Sequence, residues 1–286
     1  MIGVVVVNYH TNEAVVKIAK IYIGMDIIDK VVIVNNEADK VSIKALKCLE
    51  VSKKIYIFNE KKNLGYSKGN NIGCRFLVEK CGCDFVVISN SDIEITENAI
   101  KNIINNLSIY NRFAALAPVV FDENNKKVGF INYSMGYYLI TYRVFLPISI
   151  LNYFSSKFSN IENDIVILHY LLGSFFVCKS EALKNIDYFD ENIFLYNEEF
   201  VLGERFKIAG YDEGVLLTES YRHLHPYSKE KLKTKLKKLK LELISETYYF
   251  KKYKKANRLQ LTYLKIMQMF YISARLLLWK IKGNFM

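Results

Sequence analysis

The sequence predicts an α/β protein: a mostly parallel sheet with flanking helices, followed by C-terminal basic amphipathic helices. Three observations carry this. Short β-branched runs alternate with stretches of helical periodicity in the N-terminal third. Of the 286 residues 51% are hydrophobic, enough for a large core and too many for a disordered chain. The net charge of +11 is also unevenly placed. Residues 229–286 hold 16 Lys/Arg against 3 Asp/Glu, whereas residues 1–228 hold 24 against 26. Two parts follow: a near-neutral body over 1–228 and a basic tail over 229–286.

The first strand is Val4–Val7, followed by Asn8-Tyr9-His10-Thr11-Asn12 and a helix with Val15, Ile18, Ala19 and Tyr22 on one face. Val31–Val34 is a second strand, ending in Asn35-Asn36; Lys54–Phe58 is a third and Phe85–Ser89 a fourth. A helix fits between each pair. Continuous apolar strands separated by helices describe a parallel sheet covered on both faces. Ligands of such sheets sit beyond the carboxyl ends of the strands. Asn8, Asn35, Asn36, the segment 63–73 and Asn90–Asp92 are therefore expected to converge on one crevice.

The stretch from Phe130 to Phe176 is crowded with rings (Tyr133, Tyr137, Tyr142, Phe145, Tyr153, Tyr170) and has no clear period. Beyond Ser228, Leu232, Leu236, Leu239 and Leu243 recur at helical spacing among lysines, and a more apolar helix runs from about Leu259 to Ile281. Its longest apolar stretch, Ile266–Trp279, has 14 residues and includes Arg275, short of the roughly 20 needed to span a bilayer. The five cysteines are odd in number, and Met1-Ile2-Gly3-Val4 lacks the basic start of a signal peptide. The expectation is a cytoplasmic chain with reduced thiols, Cys81-Gly82-Cys83 included, because no second pair completes a zinc site.

Four places bear chemistry. Asn63-Leu64-Gly65-Tyr66-Ser67-Lys68-Gly69-Asn70-Asn71-Ile72-Gly73 packs three glycines and three asparagines into eleven residues. It fits either a turn that caps a helix or an anion site of backbone N–H groups, and it is neither a Walker loop nor Gly-x-Gly-x-x-Gly. Asp92 lies just past a buried strand, where a carboxylate either caps the helix starting near Thr96 or ligates a hard divalent cation. Glu198-Glu199 is either a solvated pair or a general base with a raised pKa. His223 and His225 alternate onto one face of a strand, as ordinary histidines or as metal ligands.

Taken in order, these segments resemble the family 2 glycosyltransferases of GT-A fold, in particular the rhamnosyltransferase-like branch of bacterial polysaccharide synthesis. The resemblance covers about residues 2–228, which it implies is a Rossmann-like catalytic domain. Asn63–Gly73 is similar to the branch's Asn-x-Gly-Phe/Tyr-x-x-Gly-Asn-Asn-x-Gly segment. Val5–Tyr9 resembles the nucleotide-binding strand, and Ser89–Asp92 the Asn-x-Asp form of the metal motif. Gly173–Val177 resembles the acceptor-side strand, and Phe189–Glu199 with Arg205 and Gly210-Tyr211 the segment that carries the catalytic acids. His223, with Ser228 five residues on, is similar to the histidine that closes the diphosphate site.

The resemblance implies nucleotide contacts from Asn8, Tyr9, Asn35, Asn36, Asn63, Gly65, Tyr66, Gly69, Asn70, Asn71, Asn90 and Ser91. It implies Mn²⁺ or Mg²⁺ on Asp92 with His223 or His225. An acceptor would lie along Gly173, Ser174, Phe175 and Tyr196, with Glu199 or Glu198 as base. Three positions depart from the pattern: Asn35-Asn36 replaces Asp-Asn, Glu-Glu replaces Glu-Asp, and Val201 replaces an acid.

The expected function is inverting transfer from a UDP-, dTDP- or GDP-sugar to a lipid-linked glycan acceptor in capsule or O-antigen synthesis. The enzyme would be peripheral on the inner face of the bacterial cell membrane. The tail mixes lysines with apolar residues, which suits an anionic membrane surface or packing on the body better than nucleic acid. The alternatives are an inactive membrane-associated module of the same fold and a sugar nucleotidyltransferase. The latter lacks its glycine- and lysine/arginine-rich loop after Val7.

Overall fold

The computed structural model describes residues 1–128, 140–141, 161–224 and 231–284. His225, Ser228 and most of the expected aromatic acceptor region, including Tyr133, Tyr137, Tyr142, Phe145 and Tyr153, lie outside the described residues.

The described residues form a ten-stranded sheet. Its strands are β1 (Ile2–Asn8), β2 (Lys30–Asn36), β3 (Ile55–Glu60), β4 (Phe85–Ser89), β5 (Ile93–Glu94), β6 (Phe113–Asp122), β7 (Ile161–Glu162), β8 (Ile165–Leu168), β9 (Phe175–Lys179) and β10 (Asp212–His223). They run β3-β2-β1-β4-β9-β6-β10-β8-β7, with β5 pairing β10. The four N-terminal runs pair in parallel, as the alternation predicts. Beyond β4 the sheet becomes mixed: β9 is antiparallel to both its neighbours, while β6 and β10 are parallel. The chain winds outward from β1 to β3, then crosses back to place β4 on the other side of β1. That reversal opens a crevice at the carboxyl ends of β1 and β4.

Alternation along β1 sends Val4 and Val6 into one core with Tyr22, Ile100 and Phe113, and Val5 into the other with Leu77, Phe176 and Phe206. Both faces are apolar because both are covered. The first face carries α1 (Asn12–Gly24), whose Val15, Ile18, Ala19 and Tyr22 are buried, and α4 (Glu97–Ile109). α2 (Lys40–Leu46) is capped by Asp39, whose side chain accepts from Ser42 N. α3 (Gly65–Arg75), α5 (Ser180–Asn185) and α6 (Glu198–Ile208) supply the rest of the body. Thr96 caps α4, its hydroxyl accepting from Ala99 N at 3.2 Å, so Asp92 is not the cap.

The basic tail is two helices, α7 (Leu232–Lys252) and α8 (Arg258–Asn284). α7 is seated on the body: Tyr249 and Phe250 form a third apolar cluster with Ile193, Val201 and Leu264. Val201 is thus a core residue, 1% exposed, which accounts for its apolar side chain. Among the described residues no helix is long and apolar enough to cross a membrane.

Candidate active site

The crevice at the strand ends is built on asparagine. Parallel register sets Asn8 beside Asn35 and Asn35 beside Asn59. Their amides interlock: Asn8 Nδ2 donates to Asn35 Oδ1 at 2.9 Å, and Asn35 Nδ2 donates to Asn59 Oδ1 at 2.8 Å and to Ser42 Oγ at 3.1 Å. Asn8 and Asn35 are buried, so their amides brace three strand ends. Asn36 faces the next turn. It accepts from Leu64 N at 2.8 Å and donates to Asn63 Oδ1 and Gly65 O, which fixes the start of α3.

Gly65 has φ +84°, and a Cβ there would lie 2.2 Å from Phe194 O. Only glycine permits that approach, and the next residue uses it: Tyr66 N donates to Phe194 O at 2.9 Å. The turn 63–66 is thereby joined to the segment before α6. The resulting cavity, about 170 Å³, is lined by Tyr9, Asn36, Asn63, Gly65, Tyr66, Asn70, Asn90, Phe194 and Leu195, with Val7 and Ser89 at its floor. Most ligand pockets measure roughly 300–1,000 Å³, so the enclosed part suits one end of a larger ligand. Gly69 and Asn71 lie behind this wall. Asn71 grips the segment 189–191, donating to Phe189 O and Glu191 Oε1 and accepting from Phe189 N.

At the far rim, β5 pairs antiparallel with the end of β10, setting Ile93 beside His223. Leu224 N donates to Asp92 O at 2.7 Å. These bonds bring Asp92 Oδ1 within 3.3 Å of His223 Nε2, both side chains about one-quarter exposed. A carboxylate and an imidazole aimed at each other from a half-open edge can both turn to one divalent cation. A mixed O/N pair suits Mn²⁺, whereas Mg²⁺ prefers oxygen throughout. No group of three His, Cys, Asp or Glu gathers anywhere among the described residues, so a bound ligand would supply the remaining donors. Ser91 sits beside this rim, its Oγ 3.3 Å from Thr11 Oγ1.

The acidic pair opens α6. Glu198 is buried, 6% exposed, and its Oε2 has no hydrogen-bond partner among the described residues. Burial pushes its carboxyl well above the ordinary range, and Glu199 adds to the shift. Glu199 is half-buried, and burial raises it too, against the backbone N–H of its own residue and of Gly173. Gly173 N donates to Glu199 Oε1 at 3.3 Å, and a Cβ on Gly173 would stand 2.8 Å from that oxygen. Tyr66 Oη donates to Gly173 O at 2.5 Å, so the cavity wall, the acceptor-side strand and the acid are linked through one residue. Tyr196 and Asn197, at φ 67° and 62°, precede the pair; the left-handed region suits Asn and strains Tyr, as happens at functional sites.

Ser174 Oγ lies 2.6 Å from Tyr221 Oη, and Asn90 N donates to Ser174 O at 2.8 Å. Phe175 is fully buried in the core, so it reaches the site through its backbone alone. Tyr221, Phe194 and Leu195 are additions the sequence did not single out. Tyr221 depends on the register of β10, and Phe194 and Leu195 read as ordinary apolar residues. The segment 190–197 is also held from behind. Asp190, 5% exposed, accepts from Tyr248 Oη at 2.8 Å, Lys252 Nζ at 2.9 Å and Tyr253 Oη at 2.6 Å, all at the end of α7. Its carboxyl is depressed against the opposing effect of burial by Tyr253, Lys252 and Asn192.

No family model matches the chain. It is 22% identical over 198 residues to the low-salt glycan biosynthesis hexosyltransferase Agl10 of Haloferax volcanii, a match covering 69% of this chain and 59% of that protein. The chain thus spans about three fifths of the length of the curated relative it matches. Among solved structures it is similar to the mannosyltransferase PcManGT of Pyrobaculum calidifontis in complex with GDP-Man and Mn²⁺, at TM-score 0.59 and 14% identity, over 96% of this chain and 69% of that one. It is similar to GalNAc-T7 with UDP, GalNAc and Mn²⁺, at TM-score 0.56 and 14% identity, over 89% and 49%. S. aureus TarS in complex with UDP gives 0.55 and 14%, over 85% and 64%. The chain adopts the GT-A fold of these glycosyltransferases.

Proposed function

We propose that the chain is a hexosyltransferase that moves a sugar from a nucleotide-diphosphate donor to an acceptor hydroxyl with inversion. The observation that carries this is a convergence. The Asn/Gly cavity is lined by Asn90, two residues before the Asp92 that faces His223, and by Tyr66, whose hydroxyl donates to the carbonyl of Gly173, the residue whose N–H meets Glu199. Structures of similar fold carry UDP, GDP-Man and Mn²⁺, which supports a nucleotide-sugar donor and a divalent metal.

In this reading the amides of Asn36, Asn63, Asn70 and Asn90 and the half-exposed ring of Tyr9 receive the nucleoside. Asp92 and His223 would hold a divalent cation, which would supply positive charge to stabilise the departing diphosphate. Glu199 accepts the proton of the acceptor hydroxyl. The acceptor oxygen then bonds to the anomeric carbon as the carbon–oxygen bond to the diphosphate breaks, its electron pair leaving with the nucleoside diphosphate. Attack opposite the leaving group inverts the anomeric centre. Gly173 N–H holds one Glu199 oxygen, while the buried Glu198, its carboxyl raised by burial, lies beside it and orients the pair. Gly173, Ser174 and Tyr196 border the acceptor, for which a lipid-linked glycan of capsule or O-antigen synthesis is the natural class. The rhamnosyltransferase-like resemblance supports this, with the enzyme working at the inner face of the cell membrane.

Calorimetric binding of UDP, dTDP and GDP, with and without Mn²⁺, tests the donor site. One nucleotide should bind at least tenfold more tightly with the metal, and Asp92→Asn should remove that difference. Binding of none of the three would overturn the transferase reading in favour of an inactive module.

A further inference from the structure

α8 meets α7 through one face. Leu264, Met267 and Gln268 are buried there, and Gln268 Nε2 donates to Glu246 Oε1 at 2.8 Å and to Leu243 O at 3.2 Å. A different face carries two interleaved rows of seven-residue spacing. One is Leu259 and Ile266, continued by Ser273; the other is Tyr263, Phe270 and Leu277. Leu259 is 83% exposed, Phe270 56% and Leu277 61%. Rows offset by four and three residues form a coiled-coil seam, here about 27 Å long at 1.5 Å per residue.

What borders the seam decides its partner. The flanking positions are Gln260, Thr262, Met267, Met269, Ala274 and Leu276, none of them charged. The charged residues between 259 and 279 are Lys265 and Arg275. At 100° per residue they lie about 130° and about 150° around the helix from the seam. A helix lying in an anionic bilayer carries cations along the borders of its apolar face, where lipid phosphates meet them. This face has none along its length, and a nucleic acid would leave it in water.

An uncharged seam with uncharged flanks fits another apolar helix, and it is complementary to itself in one direction. A parallel pair would set Lys280 against Lys280, because Lys280 continues the row of Leu259, Ile266 and Ser273. An antiparallel pair has the layers Leu259 with Leu277, Tyr263 with Ser273, and Ile266 with Phe270. Apolar groups then meet apolar groups, one hydroxyl meets another, and Lys280 passes beyond the end of the opposing seam.

We propose that α8 pairs antiparallel with α8 of a second copy, making the protein a two-fold symmetric dimer. The five apolar seam side chains and Met269 expose on the order of 600 Å² per copy, so the pair covers about 1,200 Å², the lower end of specific protein interfaces. α7 carries α8 and is bonded through Tyr248, Lys252 and Tyr253 to Asp190, so the dimer holds two crevices in a fixed relation. The seam shares no residue with the crevice, and its test is independent of the transferase reading.

Light scattering on the full chain in lipid-free buffer should give twice the mass of the 33.3 kDa chain. Phe270→Glu and Ile266→Lys each put a charge into the seam and should weaken association at least about tenfold while keeping the wild-type circular dichroism. Lys265→Glu, away from the seam, should leave the dimer unchanged. Mixing the two seam variants should restore a dimer, because the antiparallel layer sets residue 266 of one copy against residue 270 of the other. A monomeric wild-type chain, a dimer that the seam variants leave intact, or mixed variants that stay apart would overturn the proposal. A monomer that sediments with phosphatidylglycerol vesicles, and loses that binding in Phe270→Glu, would assign the face to a bilayer instead.

Discussion

Two neighbouring carboxylates, Glu198 and Glu199, have different surroundings. Glu198 is buried with an oxygen that no group satisfies among the described residues, and burial raises its carboxyl well above the ordinary range. Glu199 is half open and receives a backbone N–H from Gly173 at the N-terminus of α6, where the helix dipole favours the anion. The more exposed member, Glu199, is the one an acceptor hydroxyl can reach. Glu199→Gln should lower transfer at least about a hundredfold, since general-base loss typically costs 10²–10⁴-fold, while nucleotide binding stays within about twofold. Transfer at the wild-type rate would remove Glu199 from the mechanism. Asn35 is instructive at the same scale. It stands where the sequence resemblance expects an acid, and its amide is consumed by Asn8, Asn59 and Ser42. An amide both donates and accepts, so it can stand in a ladder that a carboxylate would break by facing two oxygens.

At the scale of elements, the segment 190–197 is the junction of the molecule. α3 holds it through Asn71 and through Arg75, whose guanidinium meets Glu191 at 2.7 Å. The turn at Gly65 holds it through Phe194. α7 holds it through Asp190, through Ser245 Oγ donating to Leu195 O at 2.9 Å, and through Asn197 Nδ2 donating to Glu242 O at 2.9 Å. The basic tail is therefore a structural wall of the site as well as a charged appendage. Asp190→Ala removes the three hydrogen bonds that the end of α7 makes to a buried carboxylate, two of them from tyrosines, together with two from Asn192, and should cost about 2–3 kcal/mol in denaturant unfolding. It should also lower transfer, because the strained Tyr196–Asn197 corner loses its support. An unchanged unfolding midpoint would mean that α7 is only loosely attached.

For the molecule as a whole, pH pulls stability in two directions. Glu198, Glu199 and Glu213 are all raised by burial, and Glu213 Oε2 has no hydrogen-bond partner among the described residues. A carboxyl that binds its proton more tightly when folded gives stability that is complete below the unfolded pKa and is lost as pH rises through the folded one. Asp190 is depressed, so its contribution is present above the unfolded pKa and disappears as pH falls. The protein should therefore be most stable at mildly acidic pH. Glu213→Gln should flatten the alkaline side, leaving the variant more stable than the wild type as pH rises. A variant whose melting temperature declines with pH as steeply as the wild type would show that Glu213 is solvated.

Local pattern determined much of this protein. Val4–Val7, Val31–Val34 and Phe85–Ser89 specify buried parallel strands because both faces need apolar side chains, while Lys54–Phe58 forms the half-buried edge strand β3, and the polar residues that end each run must then share one edge. The spacing of Val15, Ile18, Ala19 and Tyr22 specifies the buried side of α1 for the same reason. Other features depend on pairing between distant residues, which no local pattern encodes. The antiparallel insertion of β9 separates β4 from β6. Asp92 meets His223, 131 positions away, only through the register of β5 on β10. Asp190 is an unremarkable acid until Tyr248, Lys252 and Tyr253 fold back upon it. The choice of Glu199 over Glu198 also rests on tertiary structure, because burial and one N–H from Gly173 separate two side chains that are chemically identical in the sequence.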